Sequence, residues 1–248
     1  MIDAHAHLDA CEPAAEELVA RARAARVETI VSVGTGIDSC RETLAIAERN
    51  EEVFAILGVH PHQADEADAG RLVELEQLLA SPRAVALGEI GLDYYRDRAP
   101  RSAQLELFAS QLELAARIGK PVVIHTREAD DDTPTLLEDF SGTIVLHCFS
   151  SPALLSWALG RDCYISFAGN VTYPKSDDLR SAARLVPAER LLVESDCPYL
   201  APQPKRGRPN EPAFIVHTLS ALAESRGEPV TELAERTAAN TRAAFCLP

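Results

Sequence analysis

Long apolar runs are missing from this 248-residue chain. No stretch approaches the roughly 20 residues that a helix needs to cross a bilayer, so no membrane attachment is expected. The N-terminus carries neither the basic segment nor the apolar core of an export signal, so the expected location is the cytoplasm. Paired cysteines are missing too. The six present (Cys11, Cys40, Cys148, Cys163, Cys197 and Cys246) are scattered, with no Cys-x-x-Cys pair. That pattern excludes a disulfide framework or a zinc ribbon and suits reduced, mostly buried thiols. Cys148 and Cys197 each follow a metal-competent side chain; on a strand they would face the opposite way, as small core residues. Positive charge is scarce: 24 Lys and Arg stand against 38 Asp and Glu, a net charge of −14. A broad, tight grip on a nucleic-acid backbone runs on Lys and Arg, and this balance argues against one. It leaves room for a nucleic acid held locally by metal ions and a few arginines. No Gly-x-Gly-x-x-Gly follows the first apolar run, so the open dinucleotide-binding sheet lacks its fingerprint.

What is there is a regular alternation. Runs rich in Val, Ile and Leu fall at Ile2–His5, Thr29–Val33, Val53–Val59, Ala84–Ile90, Val122–His125, Thr143–His147, Cys163–Phe167 and Leu191–Glu194. Between them lie amphipathic stretches such as Ala14–Ala25, Cys40–Arg49, Arg71–Leu79, Ser102–Ile118, Thr133–Phe140, Pro152–Leu159 and Asp177–Leu185. In Ser102–Ile118, Leu105, Phe108, Leu112 and Ala115 recur at three- and four-residue spacing, the stripe of a packed helix. Eight such strand–helix units in about 250 residues predict a closed (β/α)8 TIM barrel. With no linker or low-complexity tract, residues 1–248 are expected to form a single domain. Pro212–Glu224 and Val230–Ala244 are expected to close it as helices.

The apolar runs stop at residues that bind metals. His5 and His7 end the first, and side chains two apart on a strand share a face. Glu89 ends the fourth, His125 the fifth and His147 the sixth, while Asp196 lies just beyond the eighth. Barrel enzymes build their sites at the C-terminal strand ends, which puts these six side chains on one rim. Four imidazoles and two carboxylates suit Mg²⁺, Mn²⁺ or Zn²⁺, and the donor types alone do not choose among them. Six ligands exceed what one open catalytic ion takes, so two divalent ions sharing a carboxylate and a water are expected. That is hydrolytic chemistry.

His5-Ala6-His7-Leu8-Asp9, Gly58-Val59-His60-Pro61, Gly88-Glu89-Ile90-Gly91-Leu92-Asp93-Tyr94, His125-Thr126-Arg127, His147-Cys148-Phe149 and Glu194-Ser195-Asp196-Cys197-Pro198-Tyr199-Leu200 closely resemble the TatD family. Arg206-Gly207-x-x-Asn210-Glu211-Pro212 and Asn240-Thr241-Arg242-Ala243-Ala244-Phe245 are similar to that family's closing motifs. Its members are metal-dependent deoxyribonucleases of the amidohydrolase-like barrels, and the resemblance spans essentially the whole chain. It implies that His5, His7 and Asp196 hold a first metal, that Glu89 bridges, and that His125 and His147 complete a second. Two residues depart from the family pattern: Ser151 stands where Gly is usual, and Ser195 replaces a usual Thr.

Asp196 is the candidate general base, a carboxylate that could touch both metal and water; as a plain N-cap it would open the following turn. Arg127 shares a side with His125 and could fork onto a phosphate, or point outward. His60 and His62 either meet a substrate phosphate or hydrogen-bond the ligands. Arg206, with Lys205 and Arg208, forms a basic loop that could dock a backbone or simply be solvated. Tyr94 and Tyr95 could stack a base or cover the rim. Asp93, Glu194 and Asn210 are expected to support the ligands, and His217 to be structural. The leading expectation is a deoxyribonuclease, a 3′-to-5′ exonuclease with DNA as substrate and no obligate protein partner. The alternatives are a metal-dependent ester or amide hydrolase, such as an aminoacyl-tRNA deacylase, and a non-catalytic metal-binding scaffold.

Overall fold

All eight apolar runs form strands: β1 (Ile2–Ala6), β2 (Thr29–Gly34), β3 (Val53–Leu57), β4 (Ala84–Asp93), β5 (Val122–Arg127), β6 (Ile144–Leu146), β7 (Tyr164–Phe167) and β8 (Leu191–Val193). The computed structural model describes residues 1–248, the side chain of Ala67 excepted. Every sequential pair of strands is parallel, and the sheet order is β1 through β8. The helices are α1 (Ala15–Ala24), α2 (Ile37–Arg49), α3 (Leu72–Leu79), α4 (Arg101–Ile118), α5 (Asp132–Leu136), α6 (Leu155–Gly160), α7 (Asp177–Leu185), α8 (Ile215–Arg226) and α9 (Val230–Phe245). The expected TIM barrel is the observed architecture. Among the described residues no helix is long and apolar enough to cross a membrane.

Two shells of apolar side chains hold it together. Ile2, Ala4, Val31, Val33, Ile56, Ala86, Val123, Val145 and Leu192 fill the barrel interior. The opposite strand faces, with residues such as Ile30, Leu57, Leu87 and Ile124, pack against the helices. The stripe of α4 behaves as its spacing predicts: Phe108, Leu112 and Ala115 are buried, and Leu105 packs partly exposed beside them. That helix ends at Gly119, whose φ of +69° is the left-handed cap conformation. Helix α5 is shorter than its periodicity suggests. After Leu136 the chain continues only as turns, with Phe140 N bonded to Leu137 O, before Gly142.

The barrel's last seam closes where the chemistry is. Beyond the end of β8, Asp196 N donates to His5 O at 2.9 Å and His7 N donates to Cys197 O at 2.8 Å. Asp3 Oδ1 accepts Ser195 N at 2.8 Å across the same seam. Asn210 Nδ2 holds Ser195 O and Tyr199 O, both at 2.7 Å, so the loop after β8 is pinned at both ends.

Two strands change phase just before their ligands. In β1, Ile2 and Ala4 face the interior, yet Ala6 and Leu8 belong to the outer shell. The pairing of β1 with β2 slips between Asp3 and Ala6. This slip turns His5 and His7 inward, since an extra residue in a strand exchanges its faces. In β4, Ala86 is interior and both Leu87 and Ile90 are outer, with a slip against β5 between them. Glu89 sits inside that irregularity. Gly91, at φ +135°, then lets β4 lie against β5, because a Cβ there would stand 2.0 Å from His125 O.

Candidate metal centre

The six expected ligands meet at one point of the rim, around the Glu89 carboxylate. Its Oε2 lies 3.5 Å from His5 Nε2 and 3.7 Å from His7 Nε2. Its Oε1 lies 2.6 Å from His125 Nδ1 and 2.7 Å from His147 Nε2. His7 Nε2 is 3.2 Å from His5 Nε2 and 3.5 Å from Asp196 Oδ1. The side chains of His5, His7, Glu89, His147 and Asp196 are buried, and that of His125 largely so.

These spacings fit a cation. Ligand atoms about 2.1 Å from a tetrahedral ion stand about 3.4 Å from one another. The separations among His5, His7, Asp196 and Glu89 Oε2 cluster around that edge length. Three sets of donors each lie within 4.8 Å of one another: His5, His7 and Asp196; His5, Glu89 and His147; and His60, Glu89 and His125.

Hydrogen bonds on the far side of each ring decide which nitrogen faces the centre. His7 Nδ1 donates to Val33 O at 3.1 Å and His147 Nδ1 to Glu194 Oε1 at 3.3 Å, so each turns the Nε2 lone pair inward. His125 is reversed: its Nε2 donates to Asp93 Oδ2 at 3.2 Å and its Nδ1 faces Glu89. His60 is different. Its Nδ1 accepts the backbone N–H of His62 at 3.1 Å, so the neutral ring carries its proton on Nε2, 3.5 Å from Glu89 Oε1. That nitrogen is a donor and not a lone pair, and His60 is therefore poorly suited to be a ligand despite its position. His62 Nε2 donates to Asp93 Oδ2 at 2.8 Å.

Proton affinities follow this wiring. Burial pushes the His5 imidazole down to about 3, helped by the charge of His147. Burial pushes His7 the same way, but its hydrogen bond to Asp196 and the charges of Glu89 and Asp196 prevail and raise it to about 9. His147 and His125 are likewise raised: burial opposes the imidazolium, and Glu89 with Glu194 in the first case, Asp93 with Glu89 in the second, overcome it. Burial drives the Glu89 carboxyl up, yet the imidazolium of His147 and its neighbours hold it well below the usual range. A metal-free centre at neutral pH thus stores protons at nitrogens that a cation would replace.

A cavity of about 1290 Å³ opens over the cluster. Arg96, Arg98 and Arg127 line one side, and Tyr199 stands beside Asp196 on the other. Arg127 is the last residue of β5; its guanidinium lies 4.0 Å over the ring of Tyr95, which fixes it at the rim. Tyr95 and Tyr199 are both exposed, at 53% and 57%. His60 and His62 also line the cavity, but each is already engaged by a carboxylate. Arg206 is not brought to this wall. It stacks 4.5 Å over Tyr173 and donates to its hydroxyl at 2.9 Å, outside the cavity lining. His217 lies in α8, away from the cluster.

The thiols depart from the sequence reading. Strands β6 and β8 end at Leu146 and Val193, so neither Cys148 nor Cys197 lies on a strand. Cys148, at φ +44°, lines the cavity, and its N–H donates to Glu194 Oε1 at 2.7 Å. Burial, with the carboxylates of Asp196 and Glu194, pushes its thiol well up, so it stays protonated. Ser151, the departure over the second ligand group, donates to Asp130 Oδ2 at 2.6 Å and ties two cavity loops together. Asp3 was not singled out by its sequence pattern, although an aspartate inside an apolar run was the available signal. It accepts both His5 N and Ser195 N, and burial raises its carboxyl to about 7.

Barrel, ligand cluster and carboxylate-backed histidines together define a metal-dependent hydrolase of the amidohydrolase-like architecture. The model of the TatD related DNase family matches residues 2–246. The chain belongs to the TatD family. It is 41% identical over 263 residues to a protein of Mycobacterium tuberculosis named uncharacterized metal-dependent hydrolase TatD, covering 100% of this chain and 98% of that one. It is 37% identical over 242 residues to the 3′-5′ ssDNA/RNA exonuclease TatD of Erwinia amylovora, covering 94% and 93%. The crystal structure of the Escherichia coli TatD homologue YJJV superposes with a TM-score of 0.93 at 32% identity, covering 100% of this chain and 98% of that one.

Proposed function

We propose that this chain hydrolyses phosphodiester bonds at the 3′ end of a single nucleic-acid strand, DNA foremost, with two divalent ions. The observation that carries the reading is Glu89, whose two oxygens face separate donor groups, His5 with His7 and His125 with His147. On this reading His5, His7 and Asp196 would hold one ion, His125 and His147 the other, and Glu89 would serve both. The ions would acidify a water and neutralise charge on the phosphate.

The remaining roles fall to the chain itself. Asp196 orients the attacking water and accepts its proton. Arg127, propped on Tyr95, forks onto a non-bridging phosphate oxygen. His60 Nε2–H steadies Glu89, and Glu194 and Asp93 hold the rings of His147 and His125. Exposed Tyr199 offers a face for a terminal base. The chain's relatives named as exonucleases support the polymer and the polarity.

The test uses single-stranded DNA labelled at either end, with Mg²⁺ or Mn²⁺. Label at the 3′ end is expected to leave at once as mononucleotide, and label at the 5′ end to remain on a shortening ladder. Asp196→Asn is expected to lose about 10²- to 10⁴-fold in rate. The net charge of −14 favours one competing reading, a small or locally held ester such as aminoacyl-tRNA. Turnover of such esters with no cleavage of DNA or RNA would replace the phosphodiester reading.

A further inference from the structure

Cys11 and Cys197 come from opposite ends of the sequence and meet behind the first ligand group. Cys11 follows the 3-10 turn Leu8–Ala10 after β1, and Cys197 follows Asp196. Their sulfurs are 3.9 Å apart, the only two thiols within hydrogen-bonding distance of each other among the described residues. Cys197 is fully buried, whereas Cys11 is part exposed. Cys11 Sγ also donates to His7 O at 3.3 Å, and Cys197 O accepts His7 N at 2.8 Å. The Cys11 thiol and the Cys197 carbonyl therefore bracket the backbone of His7, across the seam that Asp196 N closes onto His5 O.

We propose that this pair is a thiol–disulfide site, oxidised by a small-molecule disulfide, and that the cross-link loosens metal binding by His7 and Asp196. Only Cys11 is open to solvent, which sets the order of events. Cys11 gives its proton to water. Its thiolate attacks one sulfur of the small disulfide and expels the other as a thiolate, which takes up a proton from water and leaves as a thiol. A mixed disulfide remains on Cys11. Cys197 then attacks the Cys11 sulfur, gives its proton to the second expelled thiolate, and releases it as the second small thiol. Two protein thiols are oxidised and one small disulfide is reduced to two thiols, a two-electron exchange.

Forming the bond brings the sulfurs from 3.9 Å to about 2.05 Å. That closure must move Cys11, Cys197 or both. Movement at Cys11 breaks its contact with His7 O. Movement at Cys197 shifts the residue bonded to Asp196 and the carbonyl that holds His7 N. Either way a ligand of the His5–His7–Asp196 group is displaced by a fraction of the closure. Outward partners of metal ligands carry about 10- to 100-fold in affinity. The metal half of the proposal rests on the ligand reading above; the thiol half does not.

The test needs no nuclease activity, so its failure is separable from failure of the proposed function. The full chain, metal-free and metal-loaded, is incubated with oxidised glutathione and then digested under conditions that preserve disulfides. Mass spectrometry is expected to find a Cys11–Cys197 linked peptide, lost on reduction, with only a glutathione adduct on exposed Cys246. Cys11→Ser is expected to abolish the link while keeping the melting temperature and the reduced-state metal affinity. Oxidised protein is expected to bind Zn²⁺ or Mn²⁺ about tenfold more weakly in a chelator competition, with the loss reversed by dithiothreitol. A lasting glutathione adduct on Cys11, or free Cys11 and Cys197, would overturn the thiol site. A link with unchanged metal affinity would overturn the coupling to His7 and Asp196.

Discussion

Asp196 N donates to His5 O at 2.9 Å, so two residues of one candidate ligand group also supply a hydrogen bond that closes the barrel. The residue reaches this position at φ +56°, the left-handed region, which costs an aspartate less than most non-glycine residues. Ligand geometry and barrel closure are therefore one structural event. Asn210, which fastens Ser195 O and Tyr199 O on either side, is the clamp that keeps it.

Glu194 acts through His147. Its Oε1 accepts both His147 Nδ1 and Cys148 N, fixing the ring and the loop that follows. Glu194→Gln is expected to weaken metal binding by about 10- to 100-fold while leaving the fold intact. Chelator competition, with circular dichroism as control, measures this. Unchanged affinity would remove the residue from the centre.

His60 presents its Nε2–H and not a lone pair to Glu89, so removing it separates two properties. His60→Phe is expected to retain the full metal content yet lose about tenfold or more in turnover, since the Glu89 carboxylate loses the Nε2–H that faces it at 3.5 Å. Elemental analysis beside a cleavage assay reads both. Loss of one ion per chain would make His60 a ligand after all.

The metal-free protein is expected to lose stability as the pH rises from 6.5 to about 9. His7 is raised from the ordinary 6.5 to about 9, so across that window the folded state keeps a proton that the unfolded chain has shed. The stability it contributes is fully present below 6.5 and lost through about 9. His5 and His60, lowered to about 3 and about 4, are neutral in the folded state and bind a proton only in the unfolded chain, so their opposing slope fades once the pH has passed the ordinary 6.5. Metal binding displaces protons from His7, His125 and His147, so affinity rises with pH and the loaded protein shows the opposite trend. Thermal melts at the two ends of the window, with and without chelator, test the sign. A metal-free melting temperature that rises with pH contradicts it.

Arg96, Arg98 and Arg127 are the cations that line the cavity, so each should count in the salt dependence of binding. For single strands log K falls with log salt by about 0.7 per phosphate neutralised. Arg127→Gln, measured with a catalytically silenced Asp196→Asn background, is expected to flatten the slope by about that amount. Arg206→Gln, whose guanidinium is occupied by Tyr173 outside the cavity, is expected to leave it unchanged. Equal effects of the two would place the strand along the basic loop.

Much of this was legible in the chain. Periodicity located all eight strands, since a residue buried on both faces of a parallel sheet must be apolar and β-branched side chains fill that space well. Spacing turns His125 and His147 to the inner face, because the alternation of β5 and β6 carries through to them: Val123 and Val145 are interior, and each histidine lies two residues on. Spacing could not do this for His5 or Glu89. Counted from Ala4 or Ala86, His5 and Glu89 fall on the outer face, and only the slips of β1 against β2 and β4 against β5 bring them inward. The sequence by itself determined the barrel and the identity of its donors, because both follow from local pattern and residue chemistry. Tertiary structure alone decided which face His5 and Glu89 take, which nitrogen each ring presents, and that Cys11 meets Cys197. Those depend on register and on hydrogen bonds between residues distant in the chain, and a one-residue change in register reverses a side chain without altering a single letter.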